Sequence, residues 1–160
     1  MRKVAEQFPG VELEEVIVDA MAAFLIRHPE QFDVIVTTNL YGDILSDEAS
    51  ELAGSLGLAP SINAGHDIAM AQAQHGSAPD IAGKNIANPY SMIGSVAMML
   101  EHSFDMLAES KNVWKAMQSV FADGYSTADL SKPGSNVKMI NTDAFGDKVV
   151  EALRRLPRVG

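Results

Sequence analysis

The chain has no cysteine in its 160 residues. That excludes a disulfide scaffold and a zinc site built on thiolates. Basic charge is also scarce: 12 Lys and Arg stand against 21 Asp and Glu, a formal net charge of -9. Without a basic stripe to displace counterions from a phosphate backbone, nucleic acid is an unfavourable partner. No apolar run approaches the roughly 20 residues that a membrane span requires, the most apolar stretch being Ser95 to Leu100 with its flanks. The N-terminus turns polar at Glu6-Gln7 and Pro9-Gly10, so it lacks the apolar core of a secretory signal, and the expected location is cytoplasmic. No internal repeat, low-complexity segment or linker between two complete domains is visible. What remains is 47 % apolar residues, the composition of an ordinary globular protein forming one domain or parts of two. Its partner is expected to be a small molecule or another protein subunit.

Strand and helix patterns alternate early. Val11 to Val18 places Val11, Leu13, Val16, Ile17 and Val18 among acidic residues, which predicts a strand. Asp19 stands where a helix N-cap would, good helix formers follow, and Pro29 forces an end near His28. Phe32 to Thr37 is a β-branched run that predicts a second, buried strand, and the strand, helix, strand order implies a right-handed crossover. Asn39 to Gly42 reads as a turn, and Asp43 to Leu52 as a helix stopped by Gly54 and Gly57. Leu58 to Pro89 is rich in Gly, Pro, Ser, Ala and Asn and reads as loops with one or two brief strands. That is too long for an idle loop in a compact domain, which argues that it binds something. Further helices are expected over Tyr90 to His102, Ser110 to Ala122 and Thr142 to Arg155. The first of these places Met92, Ile93, Val96, Met99 and Leu100 on one broad apolar face.

Two patterns could carry chemistry. In Gly42-Asp43-Ile44-Leu45-Ser46-Asp47 the two carboxylates at i and i+4 share a helix face and lie within reach of one divalent cation. A solvated acidic face would look the same. A third carboxylate, Asp19, also falls at a strand-to-helix junction, and in open α/β sheets the carboxyl ends of strands line the ligand crevice. Oxygen ligands of this kind suit Mg2+ or Mn2+ rather than zinc. The second pattern is His75-Gly76-Ser77-Ala78-Pro79-Asp80-Ile81-Ala82-Gly83-Lys84, followed by Asn85-Ile86-Ala87-Asn88-Pro89. Small residues let a planar ligand approach the backbone, His75 can stack or hydrogen-bond, and Asp80 can accept from two ribose hydroxyls. A surface loop in which Asp80 makes a local turn is the bland alternative. No Gly-x-Gly-x-x-Gly is present, so a nucleotide site here is not of the usual Rossmann kind. His28 and His102 suit helix C-termini, and His66 a polar loop. Met92, Met98, Met99 and Met106 read as packing, Lys84 reads as a solvated loop lysine, and no spacing argues a Ser/His/Asp arrangement.

Phe32 to Asp47 and His75 to Lys84, quoted above, closely resemble the isocitrate/isopropylmalate dehydrogenase family of β-decarboxylating dehydrogenases, and the resemblance extends from about Met1 through Leu153. It implies an α/β sheet with flanking helices of that family's type, present only in part. Residues 1–53 would be the later part of the inner, dimer-forming domain and 54–160 the later part of the cofactor-binding domain. By resemblance, Asp43 and Asp47 bind the divalent metal together with an aspartate of the neighbouring subunit, and Val18-Asp19-Ala20 matches that aspartate's surroundings. His75, Gly76, Ser77, Ala78, Asp80, Ile81 and Asn88 would line the adenosine half of the cofactor. Members using NADP usually carry Lys-Tyr where this chain has Asp80-Ile81. An aspartate there repels a 2'-phosphate and accepts from free ribose hydroxyls, so chemistry and resemblance agree on NAD.

The resemblance begins past the midpoint of the family's longer members. The arginines that grip substrate carboxylates, the catalytic tyrosine and the catalytic lysine lie in the part without a match, so no residue here takes a catalytic role. The implied reaction is oxidation and decarboxylation of a 2-hydroxy acid. Asn39-Leu40-Tyr41 is more like isocitrate enzymes, and Ala71-Gln72-Ala73-Gln74 departs from the acidic residue and proline of many isopropylmalate enzymes. The substrate therefore stays open between isocitrate and isopropylmalate, with tartrate and malate relatives behind. The expected assembly is a homodimer or a pairing with a complementary N-terminal half, and the chain alone is expected to be inactive, with open sheet edges and an open apolar face. The competing reading is a noncatalytic fragment or regulatory partner subunit.

Overall fold

A computed structural model describes residues 1–131, 134 and 136–157. The remaining positions of the expected 54–160 segment lie outside the described residues. The chain divides into two compact units, Met1–Ala49 and Ser50–Gly160. The division falls four residues before the boundary expected at residue 53. Ser50 belongs to the second unit, where its hydroxyl donates to Gln74 Oε1 at 3.1 Å.

In the first unit, helix α1 (Arg2–Ala5) precedes α2 (Val18–Arg27), and α3 (Asn39–Ala53) begins. Helix α2 starts one residue before the expected cap: Ile17 takes the N-cap position, and Asp19 lies in the first turn, where the helix dipole favours a carboxylate. Pro29 ends it as expected, with His28 as the C-cap and a 3-10 turn over Pro29–Gln31. Met21 and Leu25 of α2 meet Leu45 of α3 in a small buried cluster, with Val16, Val18, Ala22, Phe32 and Ala49 packed around it.

Neither expected strand forms. The segments 11–17 and 33–37 carry no regular secondary structure, although Ile17 and Phe32 have extended backbone. The expected crossover is absent with them. A strand needs a ladder partner for its N–H and C=O groups, and among the described residues neither segment has one. Their apolar side chains are open to solvent, Ile17 at 72 %, Val34 at 78 % and Val36 at 64 %. The turn expected over residues 39–42 is instead the first turn of α3.

In the second unit α3 ends at Ala53, followed by Gly54, whose φ of +127° suits glycine alone. A 3-10 turn (Leu56–Leu58) leads into the antiparallel hairpin of β1 (Pro60–Ala64) and β2 (Ala69–Ala73), in register Pro60 with Ala73 through Ala64 with Ala69. These are the brief strands expected in the Gly- and Ser-rich segment. Then come α4 (Tyr90–Phe104), α5 (Leu107–Ala122), β3 (Tyr125–Ser126), β4 (Lys138–Met139) and α6 (Thr142–Arg155), with β3 and β4 pairing in parallel. Asn141 caps α6 by accepting from the Ala144 N–H at 2.8 Å, and Arg154 and Arg155 close its last turn.

Helix α4 buries its small side chains more deeply than the expected apolar face, of which Ile93, Met99 and Leu100 are half-buried and Ile93 packs against the main core. Its buried residues are Ser91, Gly94, Ser95 and Ala97, while Met92 and Val96 are exposed. The cause is close approach of the β1–β2 hairpin. The Ser91 hydroxyl donates to the Ala59 carbonyl, and Ser95 Oγ donates to the Gln72 carbonyl at 2.6 Å while accepting from the Ser61 N–H at 3.0 Å. Larger side chains would hold the hairpin off. Met92 and Met106 are likewise exposed rather than packed, and the buried methionines are Met21 and Met117. The main core lies between α5 and α6, where Ala116, Met117, Val120, Phe145 and Val149 are buried. Tyr90, Phe121 and Phe145 extend it as a tilted aromatic row with centroids 5.4 and 5.5 Å apart. Among the described residues, no helix is long and apolar enough to cross a membrane.

Candidate functional site

In the first unit, Asp43 and Asp47 occupy successive turns of α3, and both are exposed, whereas Leu45 between them is buried. The i,i+4 spacing aligns the two carboxylates on one helix face. Because the helix starts at Asn39, Asp43 sits in its second turn rather than its first. Asp19 is exposed in the first turn of α2, where its Oδ1 accepts from the Ala20 N–H at 2.7 Å. Among the described residues no three or more His, Cys, Asp and Glu side chains gather as a metal-binding group, so Asp19 does not join Asp43 and Asp47 within one chain.

In the second unit, residues 75–88 leave β2 and return to the start of α4. His75 is half-buried, and its Nδ1 lies 2.9 Å from the Gly76 carbonyl oxygen. A carbonyl only accepts, so Nδ1 carries the hydrogen and the neutral ring presents Nε2 as an acceptor. Gly76, Ser77, Ala78 and Asp80 are exposed and Ile81 is half-buried. Turn bonds from Ile81 N to Ala78 O at 3.1 Å and from Lys84 N to Ile81 O at 3.1 Å hold Asp80 at the surface of a tight turn. Ala78, with φ of +43°, pays the strain of that turn without glycine. Lys84 is exposed, as expected of a solvated lysine.

The end of this segment is clamped from two sides. Asn85, itself at φ +54°, donates through Nδ2 to Asp143 Oδ2 at 2.9 Å and accepts the Asp143 N–H on Oδ1 at 3.1 Å. Thr142 Oγ1 donates to the Ala87 carbonyl at 2.6 Å. On the other side Asn88, only 7 % exposed, donates from Nδ2 to Asp129 Oδ2 at 3.0 Å and accepts the Tyr90 N–H on Oδ1 at 3.0 Å. Ser55 donates to the same Asp129 oxygen. Burial pushes the Asp129 carboxyl up, but polar groups around it, among them the Ser55 hydroxyl and the Asn88 amide that donate to it, outweigh burial and hold it below the ordinary aspartate value. Among the described residues, the buried Thr127 Oγ1 has no hydrogen-bond partner.

Sequence reasoning missed Ser55, Asp129, Thr142 and Asp143. Asp129, Thr142 and Asp143 reach the segment from 41 to 58 positions further along the chain, Ser55 meets Asp129 across 74, and no local pattern marks such contacts. A cavity of about 300 Å³ opens elsewhere in this unit, lined in part by Ser119, Asp123, Tyr125, Lys148, Glu151 and Arg155. None of the candidate residues lines it. Three of its charges are engaged, with Glu151 paired to both Lys148 and Arg155 and the Lys148 ammonium 4.7 Å from the Tyr125 ring centre.

The family description "Isocitrate/isopropylmalate dehydrogenase" matches residues 1–149. A 3-isopropylmalate dehydrogenase of Halalkalibacterium halodurans is 51 % identical over 153 residues, covering 95 % of this chain and 42 % of the relative. One from Thermotoga maritima is 47 % identical over 156 residues, covering 98 % of this chain and 43 % of the relative. Among solved structures, isocitrate dehydrogenase from Methylococcus capsulatus superposes with a TM-score of 0.89 at 42 % identity, over 96 % of this chain and 44 % of that one. The chain thus spans under half the length of the relatives it matches. An α/β fold shared in part with isocitrate dehydrogenase, and a sequence matched almost end to end, show that this chain belongs to the isocitrate/isopropylmalate dehydrogenase family.

Proposed function

We propose that the chain is the later portion of an NAD- and Mg2+- or Mn2+-dependent oxidative decarboxylase acting on a 2-hydroxy acid of the isocitrate or 3-isopropylmalate type. It works only beside a complementary chain or segment. The observation that carries this reading is the turn around Asp80: an exposed carboxylate on a well-tied loop whose one lysine or arginine is Lys84. Such a carboxylate accepts from both hydroxyls of an unmodified ribose and meets a 2'-phosphate with like charge. His75, Gly76, Ser77, Ala78 and Ile81 supply small or flat surfaces beside it, and Asn88 closes the segment.

The donor set in the first unit fits a hard divalent cation, because Asp43 and Asp47 offer only carboxylate oxygens, one turn apart on an exposed helix face. Asp19 is assigned to the pair of a second copy rather than to its own. When bound, the metal supplies positive charge against a developing alkoxide or enolate, and NAD supplies a hydride acceptor. This chain's own residues then hold and orient: Asp43, Asp47 and Asp19 fix the cation, and Asp80 with its loop fixes the adenosine end of the nucleotide. Groups that grip the substrate carboxylates and move protons come from the complementary portion.

The test is NAD reduction on isocitrate and on 3-isopropylmalate with Mg2+ present. The chain alone should give none, and the chain mixed with the earlier portion of a family member should give turnover on one of the two substrates. A second reading is a noncatalytic regulatory partner subunit. That reading predicts no turnover in the mixture, but altered turnover when the chain is added to an intact family enzyme.

A further inference from the structure

The segment 75–88 is tied to the rest of the second unit chiefly near its end, and the two ties differ. The Asn85 clamp joins it to the exposed N-terminus of α6. The Asn88 clamp is partly buried, and space around it is tight: a Cβ on Gly57 would lie 2.7 Å from Asn88 Cβ and 3.1 Å from Asp129 Oδ2. Asn88 has both ends of its amide engaged, Nδ2 on Asp129 and Oδ1 on the first free N–H of α4. Its rotamer, the start of α4 and the exit of the loop are therefore set together. The amide is oriented from both ends, because an ionised carboxylate only accepts and the Tyr90 N–H only donates, and of the two Asp129 is the side chain. Ser55 holds that carboxylate in turn, and the same hydroxyl accepts from the Gly57 N–H at 3.1 Å.

We propose that Asp129 is a positioning residue for the nucleotide loop: held by Ser55, it orients Asn88 and so presents the segment 75–88 in a shape able to take the adenosine end of the cofactor. The proposal rests on the cofactor reading above for what the loop binds, but not for how the loop is held. Asp129 itself need not touch the ligand. Its effect is transmitted through one side-chain amide, so losses at Asp129 and at Asn88 should overlap rather than add.

The experiment uses the full 160-residue chain, with NAD binding followed by nuclear magnetic resonance and amide hydrogen exchange measured on the same samples. Asp129→Ala should weaken NAD binding about tenfold, the size expected when hydrogen bonds to a charged acceptor are lost. It should also speed exchange at the Tyr90 amide and shift the Asn88 side-chain NH2 resonance. Asp129→Asn, which keeps an acceptor oxygen, should restore most of the affinity. Asn88→Ala combined with Asp129→Ala should bind no more weakly than Asn88→Ala alone. Additive losses, or unchanged Tyr90 exchange in Asp129→Ala, would overturn the positioning role. If Asp129→Ala does not fold, Ser55→Ala removes one bond to the same carboxylate and should reproduce the exchange and resonance changes in weaker form. Absence of any NAD-induced shift over residues 76–88 in the unaltered chain would overturn the cofactor reading instead, and the exchange measurement would still decide the role of Asp129.

Discussion

Ser95, buried in α4, donates its hydroxyl to the Gln72 carbonyl at 2.6 Å and accepts from the Ser61 N–H at 3.0 Å, bridging the two strands of the hairpin from the helix side. One small polar side chain thereby satisfies backbone groups that close packing hides from water. Ser95→Ala should destabilise the second unit by about 1–3 kcal/mol, the cost of leaving such groups unpaired. Urea unfolding followed by Trp114 fluorescence would measure it.

The neighbouring glycine is tested in the opposite sense, by adding volume. A Cβ at Gly94 would lie 2.9 Å from Trp114 Cη2 and 3.1 Å from Pro60 Cβ. Alanine favours a helix over glycine by up to about 1 kcal/mol, but overpacking of this kind costs about 1–3 kcal/mol. Gly94→Ala should therefore lower the melting temperature, and a rise would show that Trp114 moves aside freely.

Acid should act through Asp129. Its folded carboxyl sits below the ordinary value of 3.8, because hydrogen bonds from Ser55 and Asn88 outweigh the upward push of burial. A depressed aspartate contributes stability that is complete above its unfolded value and is lost as the pH falls through the folded one. The expected loss therefore begins below about pH 4. Between pH 5 and pH 2 the melting temperature of Asp129→Asn should fall less than that of the unaltered chain, and parallel curves would remove Asp129 from the acid response.

Cofactor choice should follow the Asp80 turn. In an enzyme assembled from this chain and the earlier portion of a family member, Asp80→Lys with Ile81→Tyr should move the ratio of kcat/KM values toward NADP by about 1–3 kcal/mol, or roughly fivefold to 150-fold. An unchanged ratio would mean that this turn does not read the ribose.

Manganese affinity of the assembled protein should fall with Asp43→Asn and fall further with Asp47→Asn, and the free ion is readily counted by electron paramagnetic resonance. Equal binding by the double variant would show that the acidic face of α3 is only a solvated surface. In an assembled dimer, Asp19→Asn should weaken Mn2+ at the partner's pair as well.

Much of this protein was legible locally. Pro29 stopped α2, Gly54 closed α3, and α6 formed over Thr142 to Arg155 as expected, because proline, glycine and helical periodicity act within a few residues of themselves. The two motifs that carry the family resemblance lie in continuous stretches for the same reason. Tertiary structure decided the rest. Whether residues 11–17 and 33–37 become strands depends on ladder partners that the described residues do not include. Which side of α4 is buried was decided by the hairpin, since a face of serine and glycine admits a close backbone that methionine and valine would exclude. Asn88 was visible in the sequence as a loop residue, but its partner Asp129 lies 41 residues on, and only the folded chain brings that carboxylate to the amide it orients. Local signals reach as far as the backbone bonds they control, whereas burial, pairing and orientation belong to whatever the fold places opposite.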